Sequence, residues 1–197
     1  VGMSIWCTKQ QIGGYLSRTD SLSETDRLLK LCLFKLTVGS NTFSSESFSQ
    51  VLDLETGSIR IEGGNAGHKC KVTAIAEHGG EDVLFFVETE DAVSVQAEIV
   101  TWRNKVNDSP RDFVWCAEPS GISESADITE QRGETSLIYH RNETDIVGYT
   151  AELEGLDATR IPNPIRGRVF GVFCTKKQLS PKQCVIKLST FSEQIGW

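Results

Sequence analysis

Val51-Leu52-Asp53-Leu54-Glu55-Thr56-Gly57-Ser58-Ile59-Arg60-Ile61-Glu62 decides the fold class, because two runs of alternating apolar and polar residues mirror each other about Thr56-Gly57. Successive side chains of a strand point to opposite faces, so each run carries one apolar and one polar face. A two-residue loop at Thr56-Gly57 sets Leu54 opposite Ile59, Leu52 opposite Ile61 and Asp53 opposite Arg60. The leucines and isoleucines then face a core, Asp53 and Arg60 pair on the other side, and a charge at Leu54 is expected to disrupt folding.

The same period of two recurs outward from this hairpin. Lys71 to Ala76 and Val83 to Val87 flank His78-Gly79-Gly80-Glu81, and a turn at Gly79-Gly80 pairs Ala76 with Val83 and Ala74 with Phe85. Val93, Val95, Ala97 and Ile99 alternate with Ser94, Gln96 and Glu98, the pattern of a half-buried strand. Arg27 to Val38 admits a helical stripe of Leu28, Leu29, Cys32, Leu33 and Leu36, but Leu31 and Phe34 fall off it and the run leads into Gly39, which favours a strand. Ser4 to Tyr15 reads as one short strand ending at Gly13-Gly14, followed by a polar loop from Ser17 to Thr25. Further strands are expected at Phe113 to Ala117, Ser136 to His140, Asp145 to Glu152, Arg168 to Cys174 and Cys184 to Phe191. Glu118 to Glu134 is a long polar excursion, and Pro162 and Pro164 keep residues 161–165 out of any central strand. Many short strands without an internal repeat give an all-β fold, an antiparallel β-barrel or β-sandwich with long surface loops, in a single domain over residues 1–197.

Composition narrows the partners. The net charge of -7 and pI near 5.1 disfavour nucleic acid and anionic membrane surfaces, both of which select clustered Lys and Arg. Apolar runs are too short for a membrane-spanning helix, so no membrane insertion is expected. Val1 to Trp6 lacks a secretory signal, and a start at Val1 without Met reads as a fragment cut from a longer chain. The six cysteines have apolar neighbours, as in Leu31-Cys32-Leu33-Phe34, which favours buried reduced thiols over disulfides.

No motif states a reaction. Glu88-Thr89-Glu90 places two carboxylates on one strand face about 6.6 Å apart, near the separation used by glycosidases, and is the best enzymatic lead. Glu152-Leu153-Glu154 and Asp53-Leu54-Glu55 share that spacing in an acidic chain, so a solvated face is the plainer reading. His68, His78 and His140 stand at no recognised ligand interval, so no metal and no cofactor is expected. Pro119-Ser120-Gly121 lacks the context of a nucleophile elbow, and no Lys-Ser/Thr follows the glycines at Gly63 to Gly67 to cradle phosphate. The chain is therefore read as non-enzymatic. Asn107-Asp108-Ser109 and Asn142-Glu143-Thr144 match the glycosylation sequon. What remains is recognition, with Trp102, Arg103 and Asn104 and the run Tyr139, His140, Arg141 and Asn142 as candidate contacts for a sugar or protein surface.

Ser94 to Trp102, Phe113 to Ser120 and Arg168 to Cys174 exemplify an organisation that resembles the projecting spike domain of an astrovirus capsid protein of the avian type: an acidic, loop-rich, all-β fragment of this length. That resemblance implies a homodimeric protrusion on the surface of a non-enveloped virion, synthesised in the host cytoplasm, which engages a host cell-surface receptor, either glycan or protein. It transfers no functional residue. The alternatives are a carbohydrate-active β-sandwich enzyme using Glu88 and Glu90, and a secreted lectin-like module with disulfides and a glycan at Asn142.

Overall fold

The hairpin at Val51 to Glu62 forms, but two residues out of the expected register. In the computed structural model, which describes residues 1–40, 42–43, 47–108 and 122–195, strand β4 (Ser49–Asp53) pairs with β5 (Ser58–Gly63) so that Asp53 faces Ser58 and Leu52 faces Ile59. The Asp53 carboxylate accepts from the amides of Glu55 and Thr56 at 3.1 and 3.2 Å, which starts the turn at Asp53 rather than at Thr56. Leu54 consequently lies in the turn at 84% exposure, while Ile61 is fully buried. The Arg60 guanidinium still reaches Asp53, at 3.7 Å, from a diagonal position.

The chain begins with a hairpin of β1 (Gly2–Cys7) and β2 (Ile12–Leu22), followed by β3 (Leu28–Val38). The single strand expected over Ser4 to Tyr15 is thus two strands, and most of the expected polar loop at Ser17 to Thr25 is strand. After β4 and β5 come β6 (Cys70–Ala76), β7 (Asp82–Thr89), β8 (Val95–Val100), β9 (Ile128–Arg132) and β10 (Thr135–Arg141). Helix α1 (Ile146–Leu153), a short 3₁₀ turn (Ala158–Arg160), β11 (Arg168–Ser180) and β12 (Gln183–Gln194) complete the described elements. The strand expected over Asp145 to Glu152 is helical because the Asp145 side chain caps the first turn, accepting from the Gly148 amide at 2.7 Å. The β6–β7 pairing has the expected register, Ala76 to Val83 and Ala74 to Phe85. The strand expected at Phe113 to Ala117 lies outside the described residues.

Two antiparallel sheets result, ordered β1-β2-β3-β8 and β4-β5-β6-β7-β12-β11-β10-β9. They remain separate rather than closing, so the all-β architecture is a sandwich and not a barrel. The core between them takes Ile12, Leu16, Phe34, Leu36 and Val38 from the small sheet and Ile61, Val72, Phe85, Val172 and Ile186 from the large one. Phe34 meets Phe85 across it with ring centroids 5.1 Å apart. In β3 the inward side chains follow a period of two interrupted by a bulge against β2, which is why Leu31 and Phe34, off any helical stripe, are both buried. Cys32, Cys70, Cys174 and Cys184 are buried free thiols, and burial pushes Cys32 and Cys70 up to about 12.

Candidate functional site

Trp102 and its neighbours occupy the outer face of the small sheet. Alternation turns Ile12, Gly14 and Leu16 of β2 inward, and leaves Gly13, Tyr15 and Ser17 facing out. Register places Trp6 of β1 opposite Gly13 and Ser4 opposite Tyr15, and sets Leu33 of β3 between Tyr15 and Val100 of β8. Two residues beyond Val100, Trp102 packs edge-on against Tyr15 at 5.6 Å, and the Trp6 ring tilts against Tyr15 at 5.2 Å. Trp6 and Trp102 remain 37% and 51% exposed. A Cβ at position 13 would fall 2.9 Å from the Trp6 indole, so Gly13 is the shelf that lets that ring lie against the strand with its far side in solvent.

Cations border these rings. The Lys30 ammonium sits 4.4 Å from the Tyr15 ring centre, and the Arg103 guanidinium lies 5.2 Å from that of Trp102. Lys35 on the same face pairs with Glu98 at 3.7 Å. Asn104 is exposed beside Trp102 in the chain.

The second candidate run is split by burial. Tyr139 and Arg141 belong to the outer side of β10: the Tyr139 hydroxyl donates to Glu130 at 3.4 Å and Arg141 reaches Glu143 at 3.3 Å. His140 and Asn142 point inward and offer no surface to a receptor. Asn142 is buried, its Nδ2 donating to the carbonyls of Leu22 and Ile165 at 2.9 and 3.0 Å, which leaves no room for a glycan on that nitrogen in the folded protein.

His140 anchors a buried ionic network at one end of the sandwich. Its Nδ1 donates to Asp127 at 2.9 Å and its Nε2 to Glu24 at 3.0 Å, and its ring stacks on Phe170 at 5.2 Å. Two carboxylate acceptors require both nitrogens to carry protons, so the ring is an imidazolium. Burial opposes that charge, but the hydrogen bonds His140 donates to Asp127 and Glu24, with the charges of those carboxylates, outweigh it and raise the His140 pKa. Burial likewise opposes the Glu24 carboxylate, and His140 with the Ser125 amide overcomes it, so the Glu24 pKa is lowered. Arg103 clamps Asp127 through Nε at 3.0 Å and Nη2 at 2.7 Å, while Glu124 accepts from Ser23, Thr25 and Arg27. Trp102-Arg103 and His140 thus do meet, but through Asp127 and inside the protein. With Glu24 fully buried and His140 1% exposed, no substrate reaches this triad, and its chemistry is that of a cross-link between the β2–β3 turn and the large sheet.

Glu88 and Glu90 border an open cleft of about 540 Å³ with Ser47, Glu62, Lys69 and Lys71. Both carboxylates are already engaged: Glu88 by Lys71 at 3.7 Å and Gln183 at 3.3 Å, Glu90 by the Lys69 amide at 3.1 Å. No group of three or more His, Cys, Asp or Glu among the described residues is placed to hold a metal ion.

A family model described as a domain of unknown function, DUF5703, matches residues 1–191. The chain belongs to that family. No curated protein matches this DUF5703 domain. The outer aromatic face therefore has to be read from its own chemistry. Sequence reasoning reached Trp102 but missed Trp6 and Tyr15, because the β1–β2 turn at Thr8-Lys9-Gln10-Gln11 contains no Gly, Pro, Asn or Asp to announce it. The Thr8 side chain closes that turn instead, its Oγ1 accepting from the Gln11 amide at 3.2 Å.

Proposed function

We propose that this DUF5703 domain is a non-enzymatic recognition module that holds a glycan on the outer face of its four-stranded sheet. The observation that carries the reading is the Trp6 indole laid on Gly13 and the half-exposed Trp102, two large rings kept in water against the shared Tyr15 of the sheet. Such rings are expensive to leave in solvent and are enriched where a partner covers them. A pyranose ring suits them because it presents an apolar C–H face to stack on an indole and hydroxyls around its rim. Ser4, Ser17, Lys30 and Asn104 supply polar groups around the platform. The DUF5703 match adds no support to the astrovirus spike resemblance, so the proposal rests on this face alone.

Calorimetric titration of the domain with a panel of soluble oligosaccharides tests it. At least one should bind, and Trp102→Ala and Trp6→Ala should each weaken that binding about tenfold or more while circular dichroism stays unchanged. The double substitution Glu88→Gln with Glu90→Gln should leave binding unaltered. Failure to bind any glycan, or binding indifferent to both tryptophans, would refute the proposal; turnover abolished by the double substitution would favour a glycosidase instead.

A further inference from the structure

Building on that proposed glycan site, we infer that its ligand is an anionic sugar chain, one whose rings carry carboxylate or sulfate groups. The charges around the platform point this way. Lys35 is matched by Glu98, and Arg103 is matched by the buried Asp127, but among the described residues the exposed Lys30 is partnered by the Tyr15 ring alone, with its ammonium 4.4 Å from the ring centre. In a chain with 27 acidic and 20 basic residues, Glu98 on this face is taken up by Lys35, and no carboxylate among the described residues forms an ion pair with Lys30. A neutral sugar stacking at Tyr15 would displace that ammonium and return nothing for the lost cation–π contact. An anionic sugar keeps the charge satisfied: its rings cover Trp6 and Trp102, which pack on Tyr15 at 5.2 and 5.6 Å, while its anionic group pairs with Lys30 over the same Tyr15 ring. The rings are tilted by 56° and 79° to Tyr15, so the platform is stepped rather than flat and fits a single twisted chain better than a crystalline surface.

The test compares oligogalacturonate with its fully methyl-esterified form, the same backbone with and without charge, and dextran sulfate with dextran for the sulfate source. The wild-type domain should bind one charged member at least about tenfold more tightly than its neutral counterpart, with an affinity that falls as salt rises. Lys30→Ala should remove that preference and Lys30→Arg should retain it; Lys30 is exposed, so neither change threatens folding. Gly13→Ala, which drives the Trp6 ring off its shelf, should weaken the charged ligand as Trp6→Ala does. Equal or tighter binding of the neutral members, still dependent on Trp6 and Trp102, would overturn the anionic assignment and leave the glycan site standing. Salt-sensitive polyanion binding indifferent to the tryptophans, to Gly13→Ala or to Lys30→Ala would overturn it as non-specific attraction. Absence of binding to every carbohydrate would overturn both.

Discussion

His140 is the residue whose role changes most between sequence and structure. Beside Tyr139, Arg141 and Asn142 it reads as part of an exposed binding loop; in the fold it is an imidazolium held between Glu24 and Asp127. Removing it leaves two buried carboxylates without their shared donor, so His140→Ala should cost about 3–5 kcal/mol in urea denaturation, the range for breaking a buried ion pair. The cost should depend on pH in a defined direction. His140 has its pKa raised above the ordinary 6.5, so its contribution is complete below that value and lost as the pH climbs through the raised one. Glu24 has its pKa lowered below the ordinary 4.5, so its contribution is complete above that value and lost as the pH falls through the lowered one. The stability difference between wild type and His140→Ala should therefore peak between about pH 4.5 and 6.5 and shrink on either side. A difference that stays equally large well below pH 4.5 and well above pH 6.5 would contradict the charged network.

At the scale of elements, the β4–β5 hairpin shows what alternation can and cannot specify. Period two identifies both strands, and because the observed slip is two residues, Leu52, Ile59 and Ile61 keep their common side. Burial along that side does not follow: β4 is the edge of the large sheet, so Leu52 is 58% exposed although Ile61 beneath the sheet is completely buried. Leu54→Asp should accordingly change stability by less than about 0.5 kcal/mol, as at other open surface sites. Ile61→Ala should cost about 2–5 kcal/mol from lost burial and the cavity left behind. A large effect at Leu54 in the same denaturation assay would mean the turn is packed against something. The helix at Ile146–Leu153 and the β1–β2 turn escaped the sequence for a shared reason. In each, a single side chain, Asp145 or Thr8, satisfies the backbone in place of the usual helix period or turn residues.

Over the whole molecule, one continuous core joins the two sheets, and the buried network at Glu24, Asp127 and His140 ties them at one end. Unfolding should thus be a single cooperative transition, with tryptophan fluorescence and far-ultraviolet circular dichroism following coincident curves. Two separated transitions would show that the sheets are independent units. The aromatic platform belongs to this scale too, since Trp6 and Tyr15 come from the first hairpin and Trp102 from the segment after β8, far along the chain. A homodimer using this face would compete with glycan, and sedimentation with and without bound oligosaccharide distinguishes the two occupants.

The sequence by itself determined the all-β class, the strand identity of Leu28–Val38 and the β6–β7 register, because each rests on side-chain alternation or turn chemistry that acts over neighbouring residues. Trp102 was also legible as a candidate, being a large aromatic in a polar setting. Only the tertiary structure decided between sandwich and barrel, buried His140 and Asn142, and brought Trp6 and Tyr15 to Trp102. Those outcomes depend on strand order and on which sheet face meets the core, and such long-range pairings leave no periodic trace in a single chain.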